Sequence, residues 1–493
     1  MQHQLKCFLV LIMLFPLANF AQEIDTNRIE IRTRLNDEQP LVIPAGKSGL
    51  VVLQKDRDAP EGIINLIHYD TAFKKQWEQP LAYYKRLKMV SCKTFGNKVY
   101  ALFNNAGEEI LEVLVADLID KQVVAYQFPY FERFEIKDFC IRKGDLYVAG
   151  LLRKLPAAAR INFKETTIAS LPMAVDGKNI EIGEIFVAKN GKVSVTISFE
   201  QRKNKEVLIK EFSEDNTSDD LLISPSEEYD LINGKVTQLG AKSKIVIGTY
   251  GYRNNESTQG FYIGGFYNNQ EVYKKYHSFN DLANFYTFKS EREQEKIEER
   301  IERKKSQGKE YRSKYRLLTH EVVPAGNNYL MLGEAYYPTY RQERVRRYTS
   351  RGYYYENQIV FDGYKYTHAV VVCFDKKGDI VWDHGFKIND VKSMELKEHV
   401  RVSSLDETVK CIYNLEGNMN VISIKNGEIV STKSDIELPS KYEEDKVKFS
   451  DLGQSEFWYG NHYLAWGYQR IKNLGESAGN KNRNVFYINK LSF

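Results

Sequence analysis

Along most of this chain apolar residues come in short bursts, alternating or continuous, and each burst ends at Gly, Asn or Asp. That pattern is the signature of β-strands broken by tight turns. Its clearest marker is a turn that runs directly into an apolar strand. The marker begins at Gly46, Gly96, Gly144, Gly191, Gly240 and Gly326, has a degenerate copy at Asp406 and returns at Gly460. Glycine in such turns supplies the positive φ that a tight hairpin needs. Where no extra sequence intervenes, the copies lie about 48 residues apart, the length of a propeller blade.

Four strands can be placed in nearly every unit, lettered A to D from the centre outwards. In the sixth they fall at roughly 320–324, 329–335, 369–374 and 380–386. The eighth supplies only three, one around Phe457 and two at about 463–469 and 484–491. A spare strand near the N-terminus, residues 28–36, is predicted to fill the vacant outer place and remove an edge that invites aggregation. The expected fold class is all-β, a β-propeller of eight four-stranded blades, with seven as the alternative count, forming one domain over residues 22–493. Two stacked sandwich domains are the competing arrangement, and an even repeat with an orphan strand at each end argues against it.

A second marker falls later in the units: Asp70 is followed by Trp77, and Asp375 by Trp382, with weaker copies at Asp117 and Lys425. This turn resembles the repeat of PQQ-like propellers, in which it joins the two outer strands of a blade and an aromatic packs between blades. The resemblance implies a propeller and carries no cofactor claim.

Two unit spacings are stretched. Residues 280–316 contain a charged run, from Lys289 onward, free of Gly and Pro until Gly308, which predicts a helix. Its apolar face is thin, Ile297 and Ile301, with Phe285 and Phe288 upstream, so a solvated helix strapped across the fold is the plain expectation. Residues 336–366 mix Arg341, Arg344, Arg346, Arg347 and Arg351 with Tyr340, Tyr348, Tyr353, Tyr354 and Tyr355. Arginine offers a planar donor fork that stacks on aromatics, and tyrosine offers rigid area with a polar tip. These ten residues are the candidate binding site; the plainer alternative is an extended hairpin whose tyrosines cover the blade edge. In up-and-down blades the loops alternate between faces. The first insertion is a D–A link and the second a B–C loop, so both belong to one face. Basic residues near other B–C loops (Lys55, Arg57, Arg153, Lys154, Arg202, Lys203, Lys205, Arg470, Lys481 and Arg483) predict that this face is basic.

Composition adds bounds. A net charge of +4 is too small to imply nucleic acid. The 33 tyrosines and 26 phenylalanines suit strands better than helices. Lys6 precedes an apolar run over residues 8–17 and a small residue at Ala21, which reads as a signal peptide over residues 1–21. Its ending resembles signal peptides of Gram-negative bacteria that use the type IX secretion route. The expected location is periplasmic, with the cell surface ranked below it, and no later run is long enough to cross a membrane. Cys92, Cys140, Cys373 and Cys411 sit in apolar strands without paired spacing, which favours buried thiols over metal or redox motifs.

Chemical motifs are weak. Residues 475–479 match G-x-S-x-G, but the flanks lack the following helix of a nucleophile elbow. His320-Glu321 lacks a second zinc histidine, His368 and His384 read as structural, and the acidic turn at 214–220 lacks the glycine and final glutamate of a calcium loop. No catalytic set, metal or cofactor is assigned. The leading expectation is a non-catalytic binding or scaffolding propeller of the cell envelope. Its partner is expected to be an envelope protein, with a component of outer-membrane secretion or assembly as the partner class, or an anionic glycan. It is similar in broad design to the propeller lipoprotein of the outer-membrane barrel-assembly machine. The alternative is a propeller-fold glycan hydrolase or lyase drawing acids from the central funnel.

Overall fold

The computed structural model describes residues 27–34, 38–55, 62–82, 88–105, 109–129, 133–253, 255, 257–313, 315–350, 352–388, 391–405, 407–473 and 482–493. The signal segment, Arg57, Arg351, Asp406, Lys481 and the 475–479 motif lie outside these residues.

Eight antiparallel sheets follow one another along the chain. Blade 1 runs from Leu41–Pro44 through Leu50–Lys55 and Ile63–Tyr69 to Lys75–Ala82. Blades 2 to 5 occupy 88–129, 134–171, 178–223 and 229–278, and blades 6 and 7 occupy 316–387 and 401–437. Within each, the strands pair in chain order, A to D. The expected marker turns form the A–B connections, with Gly96, Gly191, Gly326 and Gly460 all at positive φ.

Blade 8 takes Asp445–Ser450 and Gln454–Tyr459 as strand A, His462–Asn473 as B and Asn482–Ser492 as C. Its outer place is filled by Arg28–Arg32, which pairs with strand C from Arg28↔Asn489 to Arg32↔Val485. The N-terminal strand therefore closes the last blade, as its sequence position predicted.

Period-two alternation explains why the strands read as nearly continuous apolar runs. In blade 2, Val99, Ala101 and Phe103 point toward blade 1, while Tyr100 and Leu102 point toward blade 3. In blade 6, Met331 and Val370 face blade 5, while Leu330, Leu332 and Val371 face blade 7. Both sheet faces are thus dry, unlike the one-sided alternation of a solvated sheet. Among the described residues, eight apolar clusters form, one at each junction between consecutive blades. The last joins Leu464, Phe486 and Ile488 of blade 8, with Ile29, to Val42, Leu50 and Val52 of blade 1. That junction closes the ring.

The Asp-to-Trp turns join strands C and D. Asp375 accepts from the amides of Lys377 and Asp379 at 2.8 and 2.9 Å, and Trp382 packs beside Gly427 of the next blade.

Blade 6 departs most from expectation. Its strand A is broken into Arg316–Thr319 and Val323–Ala325, rather than one piece at 320–324. Strands B and C are far longer than expected, Asn328–Thr349 and Gly352–Phe374. The second insertion is therefore no separate loop: both strands continue past the sheet as a two-stranded ribbon.

The first insertion is α-helical over Glu291–Ser306, after a short 3-10 turn at Phe279–Asp281. Acidic residues fill its first turn and Arg303, Lys304 and Lys305 its last, matching the helix dipole. Only Ile297 is buried on it, so the helix is largely solvated. The segment before the helix does the packing: Phe279, Leu282 and Phe285 fill the junction between blades 5 and 6. Among the described residues no helix is long and apolar enough to cross a membrane.

Candidate functional site: a rooted aromatic arm and an acidic channel

The ribbon pairs from Tyr336↔Tyr366 out to Thr349↔Gly352. Strand A accompanies it only as far as Tyr336, and Lys392–Ser393 only at Tyr364 and Lys365. Beyond that root the arm extends about 40 Å, at roughly 3.4 Å per residue. Its root is clasped on both sides. On one, His368 stacks on Phe288 with centroids 3.6 Å apart and is boxed by Phe285 and Tyr315. Asn284 is pinned to the outer strand of blade 6, donating from its backbone to Asp383 and accepting from the amide of Gly385. A Cβ on Gly385 would lie 2.4 Å from the Phe285 carbonyl, so this close approach requires glycine. On the other side, Asp362 pairs with Lys392 at 2.5 Å. The first insertion thus buttresses the second, and both lie on the face reached by B–C and D–A connections.

Register divides the candidate residues between the ribbon's two surfaces. Tyr348↔Tyr353, Arg346↔Tyr355, Arg344↔Asn357, Gln342↔Ile359 and Tyr340↔Phe361 are successive same-side rungs. Tyr348 and Tyr353 meet at 5.0 Å, Arg346 lies 3.5 Å over Tyr353, and Arg344 lies 4.5 Å over Tyr355. The side chains of this surface remain open to solvent, Tyr348 at 74% and Ile359 at 69%. Arg341, Arg347 and Tyr354 occupy the opposite surface, where Arg341 pairs with Glu343 and Asp362, and Arg347 with Glu356. The tyrosines do not cover a blade edge; they stand off the ring.

The wider basic face is thinner than expected. Arg153 and Lys154, and Arg202 and Lys203, form exposed two-residue B–C turns at positive φ. Lys55, however, pairs with Glu38, and Arg483 is consumed by Glu30 and Asp445 in the closure of blade 8.

The central channel holds groups that sequence spacing did not find. A cavity of about 1060 Å³ is bounded by strands A and carries Glu38, Lys93, Glu321, Glu395 and Glu456 on its wall. Glu184 lies buried between blades 4 and 5, 3.3 Å from Lys235, and burial holds its carboxyl above the ordinary range. Where strand A of blade 6 breaks, His320 donates to the fully buried Glu334 at 2.8 Å. The same Glu334 oxygen accepts the amides of His399 and Val400. Burial would raise this carboxyl, but His320 and these amides hold it below its usual value. The other nitrogen of His320 lies 3.6 Å from Glu398, which pairs with Arg401, and Arg401 reaches Glu456. Members of this chain come from different units, so no local spacing could have announced it. Chemically, it is a buried carboxylate–imidazole pair with a charged route to the channel.

The remaining candidates have structural partners. His384 donates to the carbonyl of Gly427 and does not meet His368. Glu214 pairs with Lys143 and Arg142, and Asp215 binds Thr217 within its own turn. All four cysteines of the ring are free thiols, and burial pushes each up to about 12, which makes them poor nucleophiles. Among the described residues no group of three or more His, Cys, Asp or Glu could hold a metal.

An eight-bladed ring closed by its own N-terminal strand, with inner strands around a channel, makes this a β-propeller. No protein-family model and no curated protein matches the sequence. Similar solved folds include polysaccharide lyase Uly1, with 8% identity over 94% of this chain and 99% of that one, at a TM-score of 0.43. The Nup133 β-propeller domain of Vanderwaltozyma polyspora matches at 9% identity over 89% of this chain and 100% of its own, with a TM-score of 0.43. The β-propeller domain of the Trilobed protease from Pyrococcus furiosus, which has an open velcro topology, matches at 10% over 82% and 94%, with a TM-score of 0.35. These likenesses concern the fold alone.

Proposed function

We propose that this protein is a non-catalytic binding propeller of the bacterial cell envelope that docks a partner through its arm. The observation that carries the reading is the arm itself: six exposed large apolar side chains, Tyr340, Tyr348, Tyr353, Tyr355, Ile359 and Phe361, share one surface of a ribbon whose root is held from both sides. Contiguous exposed apolar surface of this kind marks interaction sites, and tyrosine and arginine are the side chains that most often anchor them. A rigid root lowers the ordering cost of binding. The signal-like N-terminus places the protein in the periplasm on this reading, and a component of outer-membrane secretion or assembly is the partner class that location favours. Mass spectrometry of material from the periplasmic fraction is expected to find a mature N-terminus at Gln22.

The test of docking is to replace residues 338–363 with an Asn-Gly turn and compare pull-downs from envelope extracts. The shortened protein is expected to lose the partner recovered by the intact one while keeping its thermal midpoint within about 2 °C, because the arm adds little to the ring's core. Recovery of the same partner by both proteins would refute the docking role. Turnover of a polysaccharide, abolished by Glu184→Gln in a folded protein, would replace it with a glycan-cleaving channel.

A further inference from the structure

The docking reading leaves the chemistry of the partner open, and the arm's outer edge narrows it. Over residues 337–349 the first arm strand pairs only inward, with its ribbon partner. Among the described residues no backbone partner stands on its outer side, since the strand A ladder ends at Arg316↔Tyr336. In a two-stranded ribbon every second residue turns its N–H and C=O outward, which is a template for one more strand.

The side chains along this edge say what that strand should carry. On the aromatic surface they run Tyr340, Gln342, Arg344, Arg346, Tyr348, spaced about 7 Å apart. An added strand has the same repeat, so its alternate side chains would stand beside these five. The arm's carboxylates, Glu343, Glu356 and Asp362, all lie on the other surface, where they neutralise Arg341 and Arg347. Among the described residues Arg344 and Arg346 have no carboxylate within ion-pair distance, only the faces of Tyr355 and Tyr353. Their guanidinium edges keep donors free for a bidentate acceptor.

We propose that this edge captures an extended acidic segment of a partner protein by strand addition, with two carboxylates at alternate positions on Arg344 and Arg346 and apolar groups beside Tyr348 and Tyr340. The inference rests on the docking reading. A second copy of this chain is disfavoured as the occupant, because antiparallel self-pairing centred on this edge sets arginine against arginine, and like charges directly opposite are destabilising. Main-chain hydrogen bonds would supply affinity and the arginines selectivity, as in other strand-addition complexes.

The test uses the full-length protein and a fluorescent synthetic peptide that alternates threonine with valine, glutamine, glutamate, glutamate and valine, one for each of the five edge side chains. Saturable binding by anisotropy is expected. It should fall about tenfold or more in the double variant Arg344→Glu, Arg346→Glu, whose thermal midpoint should match the parent. N-methylating alternate peptide amides should weaken binding to a similar degree, because it removes the donors that face the edge. Lysine in place of glutamate should abolish it. Three results would overturn the inference: no binding of the acidic peptide, indifference to N-methylation, or full competition by polygalacturonate, which has charge but no amide ladder. If the shortened protein loses its envelope partner while the peptide fails, strand addition falls and docking stands. If the shortened protein keeps that partner, docking itself falls.

Discussion

His368 shows what a single buried side chain contributes to holding the arm. Its imidazole is fully buried, stacked on Phe288, with Nδ1 in a hydrogen bond to the Thr367 hydroxyl at 2.8 Å. Burial, helped by the charge of Lys289, lowers its pKa to about 3. The unfolded chain offers the same group a pKa near 6.5, so as pH falls the unfolded state takes up the proton first. The stabilisation is complete above about pH 6.5 and is lost progressively toward pH 3. At pH 5 the loss amounts to about 2 kcal/mol. Urea denaturation at pH 7 and pH 5 should therefore show a stability drop that His368→Leu reduces by about that amount. An equal drop in both proteins would mean that the imidazole is not held neutral. His399, lowered to about 4 chiefly by burial, acts in the same direction and remains in the variant. Reading His368 as structural was possible from its place at a strand end. The pairing of His320 with Glu334 was not, because it depends on a break in strand A that brings a histidine back against strand B.

At the scale of elements, the closing strand is fastened by charge as well as by its ladder. Arg483 of strand C in blade 8 grips Glu30 of the closing strand at 3.1 and 3.2 Å and Asp445 of strand A at 2.7 and 2.5 Å. Arg28 adds a hydrogen bond to Gln469 at 2.7 Å and lies over the ring of Tyr487. Asp445 is fully buried at its side chain and Glu30 nearly so. Without Arg483, Glu30 keeps Arg28, but among the described residues Asp445 keeps only Asn473 and the Tyr442 amide and loses its ion pair; breaking a buried pair in this way typically costs about 3–5 kcal/mol. Arg483→Met is expected to lower the chemical denaturation stability by that order; a change under about 1 kcal/mol would show that blade 8 closes without the ion pairs. Sequence position after a B–C loop assigns Arg483 to a basic face. Its role in closure depends on a strand more than four hundred residues away in sequence.

The arm marks the limit of sequence reading at this scale. The core strands were legible because burial on both faces imposes apolar runs bounded by turns. Nothing buries the arm, so no such pattern marks it as strand. Its regularity comes from cross-strand pairs such as Arg346 with Tyr353, which a linear sequence presents as an irregular mixture. Loop parity still placed it on the correct face, since parity needs only the order of strands.

For the whole molecule, the repeat at Gly46, Gly96, Gly144 and their later copies favours eight blades with seven as the alternative, and the spare N-terminal strand beside a three-stranded last unit points to the closure. The turns recur once per blade because each blade must reverse at the same place to pack on the next. The ring then imposes an order of events. Chains emerge from the ribosome N-terminus first, so Arg28–Arg32, among the earliest residues made, has no partner until Asn482–Ser492 exists. Bringing Ile29 to Ile488 costs about 5 kcal/mol of loop entropy if the intervening chain is disordered, and far less once seven blades have formed and brought the two ends near. Assembly is thus predisposed to run blade by blade and to lock in a single late step. Until that step the outer edge of the last blade is bare, and a helper that shields a growing chain would be needed longest at its two ends.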